Sequence, residues 1–137
     1  MIKLYCILLF APLFTQTVSD NAYTHAEVSA MAGAVAAEAG SNWSIFHNPA
    51  GITEVDGLQI SLGGGKLYGY DWLPASNLSC TTPIPIIGTT GFAFQQLKTK
   101  YSGKTLSTEQ TLSIAQGFDL QHDKNSRLAI GYTANFV

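Results

Sequence analysis

The chain has little charge. Asp, Glu, Lys and Arg make up 12% of its 137 residues, about half of the ~25% usual in a soluble globular domain. Base is not in excess, with seven Lys and Arg against nine Asp and Glu. That balance excludes the electropositive footprint of a nucleic-acid partner. Only two cysteines are present, Cys6 and Cys80, so no disulfide framework is available. No apolar run reaches the ~20 residues that a membrane-spanning helix needs. Catalytic signatures are missing as well. Gly63-Gly64-Gly65-Lys66-Leu67 lacks the hydroxyl residue and the first glycine of a phosphate loop. No G-x-S-x-G elbow occurs. His25, His47 and His122 have no Cys or carboxylate at metal-ligand spacing. No enzyme, cofactor or metal is expected. What is abundant excludes disorder: hydrophobic residues are 46% and aromatics 11%. One length allows at most one domain. Low charge with many Gly, Ser, Thr and aromatics is the profile of a membrane β-structure.

The first residues read as an address. Lys3 supplies a positive charge, Leu4 to Phe14 is apolar, and Thr17 and Ser19 stand at small-x-small spacing. This predicts a secretory signal peptide over 1–19. Residues 20–56 contain Asp20, Glu27, Glu38, Glu54 and Asp56 but no Lys or Arg. Residues 30–40 are almost all small. Ser41 is a suitable cap for a short helix through Trp43, Ile45 and Phe46. Pro49 stops that helix, and Asn48-Pro49-Ala50-Gly51 reads as a turn.

From Gly57 the period becomes two. Leu58, Ile60 and Leu62 alternate with Gln59, Ser61 and Gly63. Leu106, Leu112, Ile114, Phe118 and Leu120 share one parity, while Ser113, Ala115 and Gly117 share the other. Leu128, Ile130, Tyr132, Ala134 and Phe136 repeat the pattern. Five antiparallel strands are predicted, at about 57–72, 75–82, 89–101, 105–121 and 127–137. The alternation runs longer than ten residues twice, which suits a membrane crossing of about 9–11 residues better than a soluble strand of about five to six. The expected fold is all-β: an antiparallel transmembrane barrel segment behind a small helical hatch at 20–56. Membrane lipid would meet the apolar parity. Tyr68, Tyr70 and Trp72 would form an interfacial aromatic girdle at one strand end. Glu109 and Asp119 would be lumen-facing, too far apart to act as an acid/base pair. The in-strand Gly63–Gly65 would mark a bend or a close approach by the N-terminal segment. Asn42 and Asn77 head short glycosylation sequons.

Ser41-Asn42-Trp43-Ser44-Ile45-Phe46-His47-Asn48-Pro49-Ala50-Gly51-Ile52 resembles the N-terminal "NPAG" segment of FadL-type outer-membrane proteins, including the PorV/PorQ branch. A small-residue stretch before the motif and long alternating strands after it extend the resemblance over most of the chain beyond residue 19. The resemblance implies a closed barrel whose N-terminal segment folds into the lumen as a hatch, with Asn48, Pro49, Ala50 and Gly51 as its motif. It implies passage of hydrophobic small molecules, or service as a barrel that receives cargo from secretion-system components. It places the protein in the outer membrane of a Gram-negative-type bacterium. Two departures stand out: Gly40-Ser41 where an acidic pair is frequent, and His47 where an aromatic is usual.

Two rivals remain at this point. One is an exported soluble β-sandwich serving binding or adhesion, which would pack the apolar parity on a second sheet. The other is a trimer in which each chain contributes a few strands to one barrel. The 81 residues of 57–137 are too few for the eight strands of the smallest bacterial barrels. The remaining strands are therefore expected to lie outside this chain. With a periplasmic N-terminus, Pro83–Gly88 and Gln121–Ser126 would be periplasmic, and the Trp72–Pro74 and Tyr101–Lys104 loops external.

Overall fold

The computed structural model describes residues 25–123 and 126–137; the expected signal segment 1–19 lies outside them. A short helix α1 (Ala26–Ala30) is followed by two 3-10 helices, η1 (Asn42–Phe46) and η2 (Pro49–Glu54). Then come β1 (Gln59–Lys66), β2 (Pro74–Ile84), β3 (Gly88–Tyr101), β4 (Lys104–His122) and β5 (Arg127–Phe136). The strands form one sheet in sequence order, each antiparallel to the next. The sheet is open, with β1 and β5 at its edges.

The register carries one parity across all five strands. Ile60, Cys80, Phe92, Ile114 and Ala134 stand in one cross-strand row, and Leu62, Leu78, Phe94, Leu112 and Phe136 in the next. On the opposite face the matching rows are Ser61, Ser79, Ala93, Ser113, Asn135 and Gln59, Thr81, Gly91, Ala115, Thr133. Successive side chains leave a strand on opposite sides, so alternation within each strand becomes segregation across the sheet. The small and polar face is the covered one. Ser79, Thr81, Ser113 and Ala115 are 0% exposed, because the N-terminal segment lies on them. The apolar face is bare: Ile60 is 63% exposed, Leu62 80%, Ile130 51% and Phe136 58%. The core is correspondingly thin, Ile45 and Ile52 from the segment against Ala93 and Ala115 of the sheet, with Phe46 alongside.

Several boundaries differ from expectation. β1 stops at Lys66 and does not reach 72. Tyr68 takes a left-handed conformation (φ 54°), Leu67 N–H donates to the Leu73 carbonyl at 2.9 Å, and Lys66 pairs with Asp71. Together they fold 67–73 into a compact turn. Tyr68, Tyr70 and Trp72 therefore sit in the β1–β2 connection, with Tyr70 and Trp72 stacked at 5.2 Å. The segment expected at 75–82 is an eleven-residue strand that includes Pro83 and Ile84, leaving Pro85–Ile87 as the turn. Pro83 is one residue from the strand end, where a missing N–H costs little. Gly63 stays in β1, and what crowds it is the Asn77 side chain of the neighbouring strand, not the N-terminal segment. Asn48–Gly51 is not a free turn: Pro49 is the first residue of η2, where its fixed φ and absent N–H suit a helix start.

The two faces should respond differently to volume. Ala115→Leu, under the segment, should lower stability by about 1–3 kcal/mol through overpacking. Ile130→Ala, on the bare face, should change it by under about 0.5 kcal/mol in detergent-free buffer. Urea unfolding monitored by circular dichroism checks both.

Candidate functional site

The four residues of the NPAG motif fold back on the chain that precedes them. Asn48 Nδ2 donates to the Glu38 carbonyl at 3.0 Å, and Ser44 Oγ donates to the same oxygen at 3.3 Å. Gly40 N–H donates to the Gly51 carbonyl at 2.9 Å. A side chain at Gly51 would stand 2.7 Å from the Glu38 carbonyl, so no larger residue fits. Ser41 caps η1 as expected, accepting from Trp43 N–H at 3.3 Å, and its hydroxyl donates to Glu27 Oε2 at 2.7 Å. These bonds satisfy backbone groups that the sheet cannot reach.

This knot is seated where β4 and β5 lack side chains. A Cβ at Gly117 would meet Thr53 Cγ2 at 2.8 Å, the Pro49 carbonyl at 2.9 Å and Ile52 Cγ1 at 3.0 Å. At Gly131 it would collide with the Pro49–Ala50 peptide. Ile45 enters a similar gap over Gly91. Two polar bonds add register: Thr133 Oγ1 donates to the Ile45 carbonyl at 2.8 Å, and Asn42 Nδ2 donates to Ser61 Oγ at 3.0 Å. Of the motif, then, Pro49 and Ala50 touch the sheet while Asn48 and Gly51 hold the segment's own loop.

One guanidinium ties segment to sheet. Arg127 grips Asp119 with Nε to Oδ1 at 2.8 Å and NH2 to Oδ2 at 2.9 Å. The same side chain reaches Thr53 Oγ1 at 3.1 Å and Glu54 Oε1 at 3.1 Å. Bidentate geometry makes the Asp119 contact the strong one. Asp119 is thus an ion-pair partner rather than a free lumen charge. Glu109 is half-buried opposite Leu97, ten residues away on the same strand. The structure does not bring the two carboxylates together.

The other end of the segment is aromatic. His25 is 1% exposed and stacks on Trp43 at 4.7 Å, with Phe46 at 6.3 Å and His47 at 6.0 Å. Among the described residues, neither ring nitrogen of His25 has a hydrogen-bond partner. Burial, with the His47 ring beside it, lowers its pKa to about 4, against the opposing pull of Glu27. Burial also lowers the pKa of His47, whose Nε2 lies 3.7 Å from Glu38 Oε2. Burial raises that of Glu38. Beside this cluster, Val28 and Ala32 share with Lys66, Leu67 and Tyr68 the walls of an open groove of about 630 Å³.

Sequence reasoning missed Arg127, Thr53 and Glu54 as a unit. A usable signal exists: once Gln121–Ser126 is read as a hairpin turn, Arg127 and Asp119 fall near each other across it. Asn42 and Asn77, which head sequons of a kind common by chance, are 2% and 3% exposed. Cys80 is half-buried on the apolar face between Ile60 and Phe92. No group of three or more metal-ligating side chains occurs among the described residues.

Two outcomes are expected. A buried His favours the neutral form, so its contribution is full above pH 6.5 and is lost as pH falls from 6.5 toward about 4. Trp43 fluorescence should report loosening of the segment over that window, and His25→Phe should reduce the dependence. Arg127→Gln should weaken segment docking by about 1 kcal/mol and remove most of its salt sensitivity, read as the difference in unfolding midpoint between low and high salt. Comparison of the chain with protein-family models, with curated proteins and with solved structures gave no match.

Proposed function

We propose that this chain forms part of the wall of an outer-membrane β-barrel, with residues 25–56 as a plug against its inner face. The observation that carries the reading is the inverted polarity of the sheet. Its bare face holds Ile60, Leu62, Phe92, Leu112, Ile130 and Phe136, and its covered face is small and polar. A soluble sheet buries the apolar side; a membrane wall turns it to lipid. Strand length agrees, since β3, β4 and β5 have 14, 19 and 10 residues where a crossing takes about 9–11. The soluble sandwich is disfavoured because the N-terminal segment covers the small face and leaves the apolar one free.

The FadL-type resemblance of residues 41–52 supplies the role: passage of hydrophobic compounds past a plug, or a secretion-associated barrel of the PorV kind. The plug's seat on β4–β5 supports the first of these. A segment packed on glycines and attached by side chains, among them the Arg127 cluster and the Thr133 and Asn42 bonds, can leave without breaking the sheet's own hydrogen bonds. In this reading export through the signal segment delivers the protein to the outer membrane, and the partners are lipid and an apolar solute.

The test is insertion. Ile130→Lys, near the middle of β5 on the apolar face, should cost about 2–4 kcal/mol in a bilayer and move the protein out of the membrane fraction. Thr111→Lys, on the covered parity, should leave fractionation unchanged. Recovery of the unaltered protein as a soluble periplasmic monomer would overturn the proposal.

A further inference from the structure

The bare face of the sheet changes character along the strands. Its apolar rows, Ile60, Cys80, Phe92, Ile114 and Leu62, Leu78, Phe94, Leu112, are followed toward the β1–β2 and β3–β4 turns by Gly64, Ser76, Gln96 and Gln110. Two residues further on, the same parity carries Lys66 on β1 and Lys98 on β3, and then Lys100. At about 3.4 Å per residue, Lys98 lies roughly 14 Å beyond Phe94. Lys104 opens β4 opposite Tyr101. These four lysines gather at one end of the sheet. Asp71 pairs with Lys66 there. Glu109 stands on the covered parity, and Glu27 and Glu38 belong to the segment beneath that face. The other end is built the opposite way, with Glu54, Asp56 and Asp119 around Arg127.

The lysine end is also aromatic, and its two turns are joined. Lys100 N–H donates to the Trp72 carbonyl at 2.8 Å, which ties the β1–β2 turn to β3. Tyr68, Tyr70, Trp72 and Tyr101 are exposed on this joined rim. Aromatic rings settle where hydrocarbon gives way to headgroups. Lysines lay their stems along apolar surface and reach past that level with the ammonium. The sequence of rows, apolar, then amide and hydroxyl, then ammonium, matches the sequence hydrocarbon, ester, phosphate through one lipid leaflet.

We propose that the rim formed by Lys66, Lys98, Lys100 and Lys104 docks the phosphate groups of anionic lipids in the leaflet it reaches. The proposal rests on the membrane reading above. Lipid is the partner because the lysines continue a face whose preceding rows meet hydrocarbon. What stands opposite them is the head of the same molecules whose tails cover Phe92, Phe94 and Leu112. The formal net charge of the chain is −2, so attraction to an anionic bilayer has to come from a local feature, and this rim supplies one.

The unaltered chain and the variant Lys98→Gln/Lys100→Gln/Lys104→Gln are partitioned between buffer and vesicles, made of phosphatidylcholine alone or mixed with phosphatidylglycerol. A lysine near an anionic surface is worth about fivefold, so the unaltered chain should bind the mixed vesicles at least about tenfold more tightly than the neutral ones. High salt should erase that preference. The variant should bind neutral vesicles as the unaltered chain does and lose most of the preference. Equal binding of the unaltered chain to both kinds of vesicle, or a preference that the variant keeps, would overturn the inference and leave the membrane reading standing. Exclusion from both kinds, with the chain folded in the supernatant, would overturn the membrane reading and the inference with it.

Discussion

The structure depends on close approach of one stretch of backbone to another. The Pro49–Ala50 peptide lies against Gly131, and Pro49, Ile52 and Thr53 lie against Gly117. A single methyl group at either glycine would push the segment off the sheet. Everything else on the covered face is sized to this contact: Ala93, Ala115, Ser79 and Ser113 fill what remains. Large apolar side chains are thereby confined to the opposite face, where they have no protein to meet. The thin core and the bare apolar surface are two results of one packing decision.

Energetics follow from that division. Burial of Ile45 and Ile52 over two alanines removes little apolar area, at roughly 25 cal/mol per Å². Four sheet ladders and the backbone bonds around Glu38 and Gly40 must supply much of the order. A polar network of this kind is worth most where water is scarce, since a hydrogen bond strengthens as the surrounding dielectric falls. The same chemistry makes buried His25 costly to protonate. These features agree with the bilayer setting proposed for the apolar face.

Much of this was legible in the sequence. Two-residue alternation located four of the five strands, and it assigned each residue to its face without error at Ile60, Ile114 or Ile130; β2 was expected only as a shorter segment at 75–82 with no such pattern to mark it. It worked because parity is a local property that survives any tertiary arrangement. Ser41 as a cap was legible for the same reason. Three features were not. The end of β1 depends on Tyr68 adopting a positive φ, which nothing in an aromatic residue announces. The glycine assignment failed at Gly63 and missed Gly117 and Gly131, since a strand glycine does not say what approaches it. Arg127 looked like one more polar-parity residue. Its meaning lies in Thr53 and Glu54, more than seventy positions away, and no local pattern reaches that far.

The segment is held at two ends by unlike forces, and this gives the sheet an axis. α1 stands beside the Lys66–Gly69 turn at the end that carries Tyr68, Tyr70 and Trp72, where His25, Trp43 and His47 stack. η2 stands at the opposite end, at the start of β5, where Arg127 gathers Asp119, Thr53 and Glu54. The aromatic anchor rests on buried rings, with burial holding His25 neutral; the ionic anchor is partly exposed and so screened by ions. Between the two anchors the segment is also held in its middle, where Thr133 Oγ1 donates to the Ile45 carbonyl at 2.8 Å and Ile45 fills the gap over Gly91. Loss of the Arg127 contacts would therefore leave η1 stacked and bonded on the sheet, because the contacts at Gly117 and Gly131 are separate from those at Gly91.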